Sequence, residues 1–494
     1  MGVIEKDAAR TMIISYLGLF LGYLNKGVLF ILILSVEEIG LINLLVAVGM
    51  LFAQLSNLGT INSFLRFFPY FRDKDKYHHG FPQLIITIAT VGLLLTTIAS
   101  LLFYNEISTF YNKRSALFVA YYFWVIPIGI GHLLFLLLET YLRSVFKNVF
   151  AVFARDVLLR LLVTVSLLLY WFDLISFDWF VVYNSLVYVI PFFILLIYTI
   201  RYGELTKWNA KISVRPRFRK IIFNYSLFNY ANTLGATFVM TLDAMMITAF
   251  LGLEATGVYT TILFLASALQ VPYRSLMRVA VPFVPVYLKG RKMRELEKLY
   301  KDVSSISLAV SLFMFLMVWV NRVELFDILP EDFAEGVWVF LFIMIGRIVD
   351  MFFGINGNIL STSKHYKVDI LFTLFLIGII FGLNYWLIPE FGIAGAAIAT
   401  TVGLVGYNIM RLTYVWWKFD IHPFRIKNSY TIVFFGIALI VTEYLPSIFD
   451  HMVLSIGLNV LLIALLYLVP LYFFKADERL NGFVIKFVRR LGVK

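Results

Sequence analysis

Apolar runs of about 20 residues follow one another along this chain, separated by short polar turns, and each is long enough to cross a hydrocarbon core of about 30 Å. The pattern predicts an all-α integral membrane protein with fourteen transmembrane helices. They fall over residues 12–34, 40–64, 81–103, 116–140, 150–171, 179–200, 221–250, 256–286, 304–321, 336–360, 367–388, 392–416, 430–446 and 453–474. The thirteenth is the shortest, since Glu443 and Pro446 cut it off. The longest polar interruption, 201–220, has the length of a loop and leaves no room for a soluble domain.

The chain also resembles itself. "LSVEEIGLINLL" (34–45) and "LGLEATGVYTTI" (251–262) align at an offset that carries Gly40 onto Gly257, and each lies in the turn between the first and second spans of a half. Six spans separate them, so the two halves have the same orientation, a parallel repeat about an axis along the membrane normal. The expected organisation is a six-helix lobe over 1–200, a basic inter-lobe loop over 201–220, a second six-helix lobe over 221–417, two further helices over 418–474 and a basic tail over 475–494. At the same offset Lys26, in "GYLNKGVLFILIL", maps onto Asp243, in "VMTLDAMMITAF". Each half thus has one ionisable residue on its first helix, of opposite sign, roughly 16 Å of helix rise inward from the turn.

Charge fixes the expected orientation. Of 42 Lys and Arg, 34 lie in the termini and in alternate loops, as in "RFFPYFRDKDK", "KISVRPRFRK" and "KGRKMRELEKLYK". The opposite loops hold Lys113, Arg114 and Arg322 and lean acidic, as in "NRVELFDILPEDFAE". The basic side faces the cytoplasm, which places both termini there and accounts for the net charge of +12 without nucleic acid. The 61% hydrophobic content and mean hydropathy of +0.87 exclude an ordinary soluble domain. Cysteine is absent, so disulfides and thiolate metal sites are excluded. The polar N-terminus runs into a span with no small-residue cleavage site, so no cleaved signal peptide is expected.

Charged residues within the spans carry the functional signal, because each costs about 2.5–3.5 kcal/mol at mid-membrane on insertion scales. Three sets have local partners by spacing: Glu139 with Arg143, Asp156 with Arg160, and Arg347 with Asp350. Arg66 and Arg411 sit near cytoplasmic boundaries and are expected to snorkel. Arg274 and Arg278 differ. They share a face of the eighth span, have the same sign, and no acidic residue lies near them in sequence. Pro272, Pro282 and Pro285 interrupt that helix and free carbonyls, which is tolerated at membrane depth beside protein or water. A water-filled cavity with cationic walls is expected. Gln54 and Asn57 on the second span, Gln270 on the eighth and Asn25 beside Lys26 add hydrogen-bonding groups.

No catalytic constellation is present: there is no P-loop, and "HH" at 78–79 lacks a third ligand at metal spacing. The chain is therefore expected not to be an enzyme and to need no cofactor.

Several stretches resemble a known family. "LSVEEIGLINLL", "NLGTINSFLRFFPYFRDK" (57–74), "NILSTSKHYK" and "LIPEFGIAGAAIATTVG" (387–403) are similar to the polysaccharide-transporter branch of the MOP (multidrug/oligosaccharidyl-lipid/polysaccharide) exporters, which includes the Wzx-type O-antigen flippases. The resemblance implies that the chain moves a polyprenyl-pyrophosphate-linked oligosaccharide from the inner to the outer leaflet of a bacterial or archaeal cytoplasmic membrane, by alternating access. Lys26, Arg274, Arg278 and Arg66 would then meet the pyrophosphate, and Asn57, Gln54, Gln270 and Asn25 the sugar. Asp243 would pair with Lys26 in one state, or bind a coupling Na+ or H+. The implied partners are the lipid-linked substrate, membrane lipids, and the polymerase and glycosyltransferases of the same pathway, with the transporter itself a monomer. The alternatives are a cation-coupled drug antiporter on the same fold and a lipid II flippase.

Overall fold

The computed structural model describes residues 2–73, 77–201, 216–444 and 451–474. Most of the expected inter-lobe loop, Pro446 and the basic tail lie outside these. Every regular element among the described residues is helical. Eleven helices are long and apolar enough to cross a membrane. In chain order the helical stretches are α1 Arg10–Ile33, α2 Val36–Asn57, α3 His78–Leu102, α4 Ala116–Ser144, α5 over 149–171, α6 Phe177–Arg201, α7 Arg217–Phe250, α8 Leu253–Lys289, α9 Met293–Trp319, α10 Glu331–Phe353, α11 Tyr366–Phe419, α12 Lys427–Tyr444 and α13 Met452–Phe473. The eleven do not include α5, which carries Arg155, Asp156 and Arg160, or α12.

Helix α11 runs for 54 residues, about 80 Å at 1.5 Å per residue, and no single span of a 30 Å core is that long. It breaks at Gly392, whose φ of 59° and ψ of −142° suit glycine alone, three residues after Pro389. The "PEFGIAG" motif is thus a break between two helices.

By contacts the chain divides into two units, 1–261 and 262–494, the division falling inside α8. In the first unit α2 packs against α3, α4 and α7. A capping box starts α2: Ser35 Oγ accepts from Glu38 N at 3.3 Å, and Glu38 Oε2 accepts from Ser35 N at 2.8 Å. This is the physical content of "SVEE". At its other end the chain turns through Leu58 and Gly59, both with positive φ, into the helix Thr60–Phe71. The "FLRFFPYF" run of that helix buries Phe64, Phe67, Phe68 and Phe71 in an aromatic core with Phe81 and Tyr141.

The start of α2 crosses the start of α8 at very short range. A methyl group on Gly40 would strike the carbonyl oxygen of Leu253, and one on Gly257 would strike the carbonyl oxygen of Val36. Beside this crossing Asn43 Nδ2 donates to Thr260 Oγ1 at 3.0 Å, two residues 217 apart in sequence. Gly40 with Gly257 and Val36 with Leu253 have the same separation. The stretches that resemble each other therefore lie against each other reciprocally, each presenting its glycine to the other's backbone.

In the second unit α10 packs along α11, and α9 against α10 and α12. Several of its charges are paired with residues distant in sequence. Arg411 Nη2 lies 2.6 Å from Asp369 Oδ1, with the guanidinium 4.0 Å above the Tyr407 ring. Arg425 bonds Asp302, and Arg322 grips both oxygens of Glu443. Serine and asparagine complete the attachment of α13: Ser455 donates to Glu324 and Asn459 to Asn321.

Two outcomes follow. Replacing Gly257 by alanine sets a side chain against a backbone carbonyl that cannot yield, and should destabilise the purified protein by about 1–3 kcal/mol. An exposed helical glycine would instead gain about 1 kcal/mol from the same change, so the sign of the Tm shift decides. Asp369→Asn strands the Arg411 charge and is expected to cost about 3–5 kcal/mol, whereas Asp369→Leu with Arg411→Met should be milder. Equal losses in the two proteins would show that the ion pair itself stabilises the fold.

Candidate functional site

Among the basic residues within the helical spans are Lys26 and Arg160 in the first unit, and Arg274, Arg278 and Arg347 in the second. Their surroundings differ from what sequence spacing implies.

Lys26 sits in a π-helical turn, Asn25–Leu29, that interrupts α1. Such turns aim a side chain off the regular helical face and recur at functional sites. Its ammonium donates to Asn43 Oδ1 at 2.8 Å, and Asn43 donates onward to Thr260. Tyr259, the neighbour of Thr260, donates to Asp243 Oδ2 at 2.6 Å; Tyr259 is fully buried and Asp243 nearly so. Lys26 and Asp243, equivalent in the repeat, thus each bond a residue close to the glycine crossing, Lys26 to Asn43 and Asp243 to Tyr259. Asn43, Tyr259 and Thr260 were missed in the sequence reading, although the offset that equates Lys26 with Asp243 also equates Asn43 with Thr260.

Asn25 is buried and fully occupied: its Nδ2 donates to the Arg160 carbonyl at 2.8 Å and its Oδ1 accepts from Thr164 at 2.8 Å. Asn57 is likewise structural, its Oδ1 accepting from Thr60 Oγ1 at 2.6 Å and from the Ile61 backbone at 3.1 Å to close the turn after α2. Gln54 is different, with a buried Nε2 that has no hydrogen-bond partner. Arg66 is exposed, its guanidinium 4.1 Å above the Tyr225 ring.

Asp156 and Arg160 do not pair. The chain passes through a second π-helical turn at Ala154–Leu158, which breaks the register in which i and i+4 share a face. Asp156 instead accepts from Arg155 Nε at 2.9 Å and from Ser15 Oγ at 2.9 Å. Glu139 takes Arg143 at 3.0 Å, as its spacing implies, and also Arg155 at 2.7 Å. The guanidinium of Arg160 has no hydrogen bond or ion pair among the described residues, and its Nη1 is buried.

In the second unit a 3₁₀ turn at Ala268–Gln270 and Pro272 precede the short helix Val271–Ala280, which presents Arg274 and Arg278. Both are exposed. Arg274 Nη2 donates to the buried Gln270 Oε1 at 3.2 Å, and neither arginine meets a carboxylate among the described residues. Arg347 does not pair with Asp350, whose Oδ1 accepts from Asn408 Nδ2 at 3.1 Å. Arg411, expected to reach the interface, is held by Asp369 instead. One cavity of about 220 Å³ opens in the first unit among Phe64, Ile85, Leu134, Leu138, Tyr141 and Phe192, but it is apolar and none of the candidate residues lines it.

Comparison with known proteins adds the fold. No protein-family model and no curated protein matches the chain. Among solved structures it is similar to a lipid II flippase, MurJ, in an inward closed conformation: 15% identity over 96% of this chain and 99% of that one, with a TM-score of 0.73. It is also similar to a MOP superfamily transporter from Pyrococcus furiosus, described as having a binding pocket of reverse polarity, at 15% identity, 84% and 96% coverage and a TM-score of 0.57. A multidrug resistance MATE family transporter in its inward-facing conformation gives 15% identity, 81% and 94% coverage and a TM-score of 0.52. The chain shares its helical fold with these structures, and eleven of its helices are long and apolar enough to cross a membrane.

Proposed function

We propose that the protein is a flippase that moves a polyprenyl-diphosphate-linked oligosaccharide, an O-antigen, capsule or exopolysaccharide unit, across the cytoplasmic membrane by alternating access. The observation that carries this reading is the pair Arg274 and Arg278, like in charge, one turn apart, exposed and without a carboxylate among the described residues. Two guanidiniums so placed suit a ligand with two adjacent phosphates, since arginine pairs phosphate oxygens bidentately. A cation-coupled drug antiporter wants acidic groups at that place. The flippase likeness also extends over more of the chain than the likeness to multidrug transporters, and lipid II itself is the second reading it favours.

In this proposal fourteen spans form two six-helix lobes and a final pair, with both termini in the cytoplasm and the chain acting as a monomer. Lys26, Arg66, Arg274 and Arg278 face the diphosphate, and Gln54 and Gln270 the sugar. The Gly40–Gly257 crossing lies at the outer face, so opening outward requires the Asn43–Thr260 bond to break. Lys26, which bonds Asn43, and Asp243, which accepts from Tyr259, act as the switch by pairing in one state, or Asp243 is the place for a coupling Na+ or H+. Glycosyltransferases would supply the cargo and a polymerase would consume it.

In proteoliposomes carrying a labelled polyprenyl-diphosphate oligosaccharide, Arg274→Gln with Arg278→Gln should slow translocation at least tenfold while Tm stays put. An undiminished rate removes the two arginines from the path. The same assay with labelled lipid II separates the two readings by which cargo moves faster. For the switch, Lys26→Ala and Asp243→Ala should each reduce export, and Lys26→Asp with Asp243→Lys should recover part of it. A swapped protein no better than the single variants rejects a pairing of the two charges.

A further inference from the structure

The first unit contains a space that its own side chains leave unfilled. Helices α3 and α6 both pack on α4. A cavity lies among the three, walled by Ile85, Ile86, Leu134, Leu138, Phe192 and Leu196. Its volume of about 220 Å³ is roughly seven times the share of one molecule in liquid water, about 30 Å³. Left empty, such a space forfeits the dispersion contacts of every atom that lines it.

The wall and its depth say what fills it. Among the described residues no charged side chain lines the cavity. The Thr140 hydroxyl in its wall turns back to the Leu136 carbonyl at 2.6 Å. An occupant therefore meets mainly hydrocarbon. Every wall residue lies at the end of its helix nearest a basic loop. Ile85 and Ile86 are in the first turns of α3, Leu134 and Leu138 in the last turns of α4, which ends at Ser144, and Phe192 and Leu196 in the last turns of α6, which ends at Arg201. At 1.5 Å per residue all of them are within roughly 15 Å of those ends, the depth of the acyl chains of one leaflet in a core about 30 Å thick. The space also reaches the surface that faces lipid. Ile86 is exposed, and so are Phe193 and Ile197, next in sequence to the α6 wall residues.

Beyond the cavity the same helix ends are basic. Helix α4 runs on from the wall to Arg143, which shares Glu139 with Arg155, and α6 runs on to Arg201; both arginines are exposed. Just past α4 the exposed Phe146 ring lies 5.2 Å from the guanidinium of Arg72, also exposed. Basic residues at this level attract anionic lipid headgroups.

We propose that the cavity seats an acyl chain of an anionic phospholipid from the leaflet beside the basic loops, with the headgroup at the rim formed by Arg72, Arg143 and Arg201. The chain restores the contacts that the void lacks and braces α3 and α6 on α4. Cargo is the poorer occupant, since none of Lys26, Arg66, Arg274 and Arg278 lines this space. The site is thus independent of the reading of the cargo.

The test uses the full chain in phosphatidylcholine liposomes with a trace of phosphatidylglycerol that bears a diazirine midway along one acyl chain. After illumination the labelled residues are mapped by mass spectrometry. Label should collect on the wall stretches 82–86, 134–141 and 192–196. Leu138→Trp, which fills the space from within, should remove it. Ile86→Trp, which blocks the opening from an exposed position, should do the same and serves if Leu138→Trp does not fold. The same photoreactive chain on a choline headgroup should label these stretches weakly, and Arg201→Gln should narrow the difference between the two probes. Label that both tryptophan variants leave unchanged, or that spreads evenly over the lipid-facing helices, overturns the site. Equal labelling by the choline probe overturns the assignment to an anionic lipid. Geranylgeranyl diphosphate displacing the probe more readily than unlabelled phosphatidylglycerol makes this a seat for an isoprenoid chain and overturns the proposal.

Discussion

Two glycines allow the first unit to be built as it is. At Gly40 and Gly257 the missing side chains let α2 and α8 approach until each glycine faces the other helix's carbonyl oxygen. In a bilayer, where apolar burial drives little helix association, such backbone proximity and the hydrogen bonds beside it hold helices together. Asn43 and Thr260 supply that bond. The Lys26 ammonium rests on Asn43, and Tyr259, next to Thr260 in sequence, donates to Asp243. A side chain at either glycine would separate the helices and break the Asn43–Thr260 bond.

Intramembrane charge is handled in two ways. Where it is structural it is matched by a carboxylate: Arg411 with Asp369, Arg425 with Asp302, and Glu139 with Arg143 on its own helix and Arg155 on the next. Arg160, Arg278 and Arg347 have no such match among the described residues, and Arg274 has an amide alone. Unmatched positive charge at membrane depth is unstable on its own, which is why it points to an anionic ligand or to water more strongly than any motif does.

Much of the architecture was legible in sequence because the bilayer imposes a length on every span. Helices α1 to α10 overlap the apolar runs, and "PEFGIAG" breaks α11 at Gly392, a residue free to take its backbone angles. The offset linking Gly40 to Gly257 was visible too, though not that the two would touch. The pairing of Glu139 with Arg143 followed from helical spacing. That of Asp156 with Arg160 did not, because a π-turn between them rotates one away from the other. Spacing rules assume a regular helix, and no residue type in "ARDVL" announces the extra residue in the turn.

By itself, the sequence determined that this chain is built of helices long and apolar enough to cross a membrane, and which of its residues carry a charge within those apolar stretches. Those properties are set by hydropathy over about 20 residues and by side-chain chemistry, both local. Only the tertiary structure decided which charges are satisfied. That depends on groups distant in the chain, as when Asp369 reaches Arg411, Asn408 takes Asp350, and Asn25 and Asn57 spend their amides on the backbone. The same contacts left Arg160 lying over Gly22 with no partner of its own, a result of helix packing and π-turns that one-dimensional spacing cannot encode.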